Sequence, residues 1–110
     1  MPAGVQFAKV LESLGIAEEI KAKAKLGDAP DLVARGEAEI GVTMVAEILP
    51  VTGVDFVGAL PQALQNKTDF LYVACVLASS TQPSAAKSLI GFISGPEAPS
   101  VLKAKGLEPG

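Results

Sequence analysis

Apolar positions change period several times along this chain, and each change marks an element. Over residues 4–14, Phe7, Val10, Leu11 and Leu14 fall at i, i+3, i+4 and i+7, one face of a helix that Gly15 can end. Ile16-Ala17-Glu18-Glu19 predicts a short helical turn. Ile20, Ala22, Ala24 and Leu26 then alternate with Lys21, Lys23 and Lys25, the period of a strand with one wet face and a lysine-protected edge. Gly27-Asp28-Ala29-Pro30 supplies a turn, an N-cap carboxylate and a proline for a first helical turn, and Gly36 closes the short helix carrying Leu32 and Val33. Residues 39–43 regain strand character through Ile40 and Val42. Pro50 limits residues 44–49 to about one turn of helix. Residues 54–57 form another short strand candidate, and 60–67 read as a loop.

Residues 70–78 are apolar on both alternating faces, as in a strand covered on both sides. Ser80-Thr81-Gln82-Pro83 starts a helix whose buried stripe is Ala85, Ala86, Leu89, Ile90 and Ile93, and Gly95-Pro96 stops it. A last helix begins near Pro96 or Glu97, carries Val101 and Leu102, and ends at Gly106. Helices alternating with strands, without repeats or an internal linker, predict an α/β fold in a single domain over residues 1–110.

Composition narrows the function. With 49% hydrophobic residues in 110, the chain is built to fold, and a net charge of -3 offers no positive field for a phosphate backbone, so nucleic acid is not an expected partner. Neither His nor Trp occurs, which removes the imidazole base and imidazole metal ligand. No nucleophile–base pair is visible, so the chain reads as a non-enzyme without cofactor or metal. Cys75, inside the apolar run, is expected to be a buried inert thiol, and Tyr72 a core or interface residue. Glu37, Glu39 and Glu47 read as solvated surface. No segment has the length of a membrane span, and Met1-Pro2-Ala3-Gly4 lacks the basic start of a signal peptide.

Three stretches carry a resemblance: Pro2-Ala3-Gly4-Val5-Gln6-Phe7-Ala8-Lys9-Val10-Leu11, Leu32-Val33-Ala34-Arg35-Gly36-Glu37-Ala38-Glu39-Ile40-Gly41-Val42, and Lys103-Ala104-Lys105-Gly106-Leu107-Glu108-Pro109. Together with Ile48-Leu49-Pro50-Val51, Val54-Asp55-Phe56-Val57-Gly58 and the 85–92 helix, in that order, they resemble the second half of periplasmic molybdate-binding proteins. That resemblance implies the C-terminal lobe of a type II periplasmic-binding-protein-like fold, three-layer α/β/α with an incomplete, mostly parallel sheet. It also implies the solute-binding component of an ABC-type importer, periplasmic, holding a tetrahedral oxyanion such as molybdate or tungstate and meeting a transporter permease.

By position, the resemblance assigns ligand contact to Ala3, Gly4 and Val5, whose backbone amides open a helix toward the anion. A second ligand-facing helix start corresponds to Ala29, although Asp28 adds negative charge there and Pro30 removes a donor. A third contact, a tyrosine hydroxyl in the family, falls on Met44, with Thr43 as the nearest hydroxyl. The alternative is a non-catalytic assembly module, a truncated lobe that completes its sheet by pairing with a second copy as a homodimer.

Overall fold

The computed structural model describes residues 2–109 and divides the chain into two compact units, Met1–Asn66 and Lys67–Gly110. In the first unit, α1 (Pro2–Ser13) buries Val10 and Leu11, the center of the predicted apolar face, and packs against α2 (Ala17–Lys21). Gly15 ends α1 at φ 71°, its N–H donating to the Glu12 carbonyl at 3.0 Å while the Ile16 N–H donates to the Leu11 carbonyl at 3.1 Å. That pairing satisfies the last carbonyls of the helix through a left-handed residue, where glycine carries no side-chain penalty. α3 (Ala29–Ala34) ends the same way at Gly36, after starting on the Asp28 carboxylate, which accepts the Asp31 N–H at 3.2 Å. α4 (Val45–Ile48) is the one turn that Pro50 allows, and a 3-10 turn at Gln62–Leu64 lies inside the predicted loop.

The second unit holds α5 (Pro83–Ile93), which starts and stops where its punctuation placed it, and α6 (Ala98–Ala104). Ser80 Oγ accepts the Gln82 N–H at 3.2 Å just ahead of α5. Among the described residues of this unit none is buried: Leu89, Phe92, Ile93 and Val101 are all exposed.

The α/β/α expectation is overturned, because the described residues contain helices and turns but no β-strand. A strand exists only through hydrogen bonds to a neighbouring strand, and none of the four predicted runs meets one. The lysine alternation at 20–26 has a different cause. Lys21 Nζ pairs with Glu18 at 2.9 Å and Lys23 Nζ with Glu19 at 3.1 Å, three and four residues apart, which is helical spacing. The Glu18 hydrogen bond, first, and its charge hold the Lys21 ammonium above the ordinary lysine range. Residues 39–43 and 54–57 are irregular, with Val57 99% exposed. The 70–78 run, expected to be covered on both sides, leaves Leu71, Tyr72 and Leu77 exposed and Val73 at 88%. Cys75 is likewise exposed rather than buried, and Tyr72 is not a core residue. Among the described residues, no helix is long and apolar enough to cross a membrane.

Candidate functional site

The start of a helix has N–H groups with no intrahelical acceptor, and in α1, which begins at Pro2, these include the N–H groups of Ala3 and Gly4, while Val5 stands where intrahelical bonding begins. Pro2 stands at the helix start, where its missing N–H costs nothing. No acidic residue lies in the turn, so the positive end of the α1 dipole is not neutralised from within the helix. Gly4 and Val5 are exposed, and a Cβ at Gly4 would meet open space. One residue further along, Gln6 Oε1 accepts from Asn66 Nδ2 at 3.4 Å, a half-buried contact between residues sixty positions apart. This amide pair has no local sequence signal, and sequence reasoning missed it.

The start of α3 has a different electrostatic character. Asp28 already takes the Asp31 N–H, and Pro30, which is buried, has no N–H to give. The exit of the helix is held by surface ion pairs: Arg35 reaches Asp31 and Glu37 at 3.2 Å each, and Lys25 reaches Glu37 at 3.5 Å. Glu37 is therefore a paired carboxylate.

Ala29 and the 41–44 segment are brought together. A Cβ placed on Gly41 would stand 3.1 Å from the Ala29 carbonyl oxygen and 3.2 Å from the Ala29 Cβ, so only glycine allows this approach without a shift. Two residues on, the Thr43 hydroxyl donates to Glu47 Oε2 in a half-buried pair. Met44 is the N-cap of α4 and makes no side-chain cap bond, while Glu47 lies in the first turn, where a carboxylate suits the dipole. Glu47, expected on solvated surface, is thus half-buried and engaged. The i, i+4 spacing of Thr43 and Glu47 across a helix start was the available signal.

Two polar groupings in the first unit therefore bear the predicted site residues: the start of α1, where the Ala3 and Gly4 N–H groups have no intrahelical acceptor, and a 41–47 segment whose hydroxyl is spent on a carboxylate. Backbone donors and a small-residue approach suit ligand binding. The model of the bacterial extracellular solute-binding protein family matches residues 1–108, and this chain belongs to that family. Among curated relatives, it is 31% identical over 111 residues to the aconitate isomerase of Pseudomonas sp, an alignment covering 97% of this chain and 42% of that protein. It is 28% identical over 115 residues to the molybdate-binding protein ModA of Azotobacter vinelandii, covering 96% of this chain and 43% of that protein. The chain thus spans less than half the length of the curated relatives it matches. No solved structure matches it at a significant level.

Proposed function

We propose that this chain is the C-terminal ligand-binding portion of a solute-binding protein that takes a small anion for an ABC-type importer, with molybdate or tungstate as the oxyanion ligand. Membership of the extracellular solute-binding family over residues 1–108 carries the reading. The α1 turn supports it, since the Ala3 and Gly4 N–H groups at a dipole end can receive an anion without a formal cation. Delivery to a permease outside the cytoplasm follows from the same family and belongs to the same proposal.

A second reading is favoured by the relative at 31% identity, which is named as an isomerase of aconitate: the ligand is an organic carboxylate, and the full-length protein acts on it. Titration calorimetry of the chain against molybdate, tungstate, aconitate and glucose separates these readings. Saturable heat with molybdate or tungstate is the expected result. Binding of aconitate alone transfers the proposal to the second reading, and binding of glucose with none of the anions contradicts both.

A further inference from the structure

We propose that residues 70–78 are a strand-forming docking site whose occupant is the same segment of a second copy of this chain, the two running antiparallel about a two-fold axis at Ala74. Residues 70–77 carry neither helix nor turn, and Leu71, Tyr72, Val73 and Leu77 all stand in solvent. Among the described residues, Leu71, Val73, Ala74, Cys75 and Val76 make no hydrogen bond. A charge-free segment of strand-forming residues with its main-chain donors and acceptors unspent is a template for another strand.

The other three runs with strand periodicity carry features that oppose such pairing: Lys21, Lys23 and Lys25 in 20–26, Glu39 and Gly41 in 39–43, and Asp55 in 54–57. Residues 70–78 contain no charge, glycine or proline, so nothing in the segment repels or interrupts an identical one. Two strands related by a two-fold axis are antiparallel, which sends the flanking Lys67 and Asp69 of the two copies to opposite ends of the ladder. Centred on Ala74, the register pairs all nine residues. It sets Leu71 against the second copy's Leu77 and Val73 against its Cys75 on one face, with Tyr72 against its Val76 on the other. Such a ladder covers roughly 600 Å² on each copy, the low end of specific interfaces, so the dimer is reversible and dissociates on dilution.

Sedimentation equilibrium of the 110-residue chain, Val73→Lys and Val57→Lys tests the docking site. Both valines are solvent-exposed, at 88% and 99%, so neither lysine disturbs the fold, which far-UV circular dichroism checks. The parent and Val57→Lys should pass from monomer to dimer as concentration rises. Val73→Lys should stay monomeric, because pairing would cover its charge. Cross-linking tests the register. In a Cys75→Ser background, Ala74→Cys faces its own copy across the axis at a Cα separation of about 4.5–5.5 Å, within disulfide range. Ala78→Cys in the same background lies eight residues from its mate, about 27 Å along the ladder. Oxidised glutathione should therefore give a covalent dimer from the first and none from the second. A dimer that survives Val73→Lys, loss of association in both lysine variants, or equal cross-linking at positions 74 and 78 overturns the proposal. So do open-ended polymers in place of a dimer, and a parent chain that is monomeric throughout, the result expected if a different protein covers the run. None of these outcomes touches the small-anion reading.

Discussion

Gly41 shows how one missing side chain positions a segment. Its backbone lies so close to Ala29 that an added Cβ would meet the carbonyl oxygen at 3.1 Å, and a backbone neighbour cannot swing aside as a flexible side chain would. Gly41→Ala should therefore cost about 1–3 kcal/mol of stability. Gly4→Ala, in open space on α1, should be neutral or gain up to about 1 kcal/mol. Denaturant melts of the two variants check the contrast, and equal stabilities would contradict it. From sequence, Gly4 is a ligand contact by resemblance and Gly41 only a glycine in a motif, because which backbone approaches another is a long-range fact. Thr43 and Met44 are placed by resemblance, and the partner of Thr43, Glu47, is signalled in the sequence only by its i, i+4 spacing across the start of α4.

Helices were legible and strands were not, for the same physical reason. The bonds of α1 and α5 are local, so apolar spacing, proline starts and glycine stops nearly suffice to place Pro2–Ser13 and Pro83–Ile93. Period-two alternation, by contrast, states only which side chains share a face and says nothing about whether a neighbouring strand is present to accept the ladder. The 20–26 stretch illustrates the ambiguity. Its alternating lysines satisfied the strand template, yet Glu18 and Glu19 sit at the distances that pair with Lys21 and Lys23 around a helical turn. Residues 70–78 have the composition of a covered strand and remain uncovered. Composition sets what a segment would bury, and tertiary context decides whether it does.

Across the whole molecule, apolar side chains that the sequence assigns to a core stand in solvent, among them Leu71, Val73, Leu77, Leu89 and Ile93. Exposed apolar surface on this scale favours association. Sedimentation of the isolated chain is therefore expected to show species heavier than its 11.2 kDa, growing with concentration, whereas a persistent monomer with a cooperative melt would contradict this. Anion binding, independent of assembly, requires that backbone donors in the α1 turn, and not surface lysines, receive the anion. Lys21 and Lys23 are already paired with Glu18 and Glu19, while Gly4 offers an N–H in a first turn that tolerates proline. Titration calorimetry with molybdate on the parent chain, Gly4→Pro and Lys23→Ala is the most direct measurement. The predicted result is saturable binding that Gly4→Pro weakens by ~1.5–3 kcal/mol and Lys23→Ala leaves nearly unchanged. Binding that survives Gly4→Pro in full, or is lost only in Lys23→Ala, would contradict it.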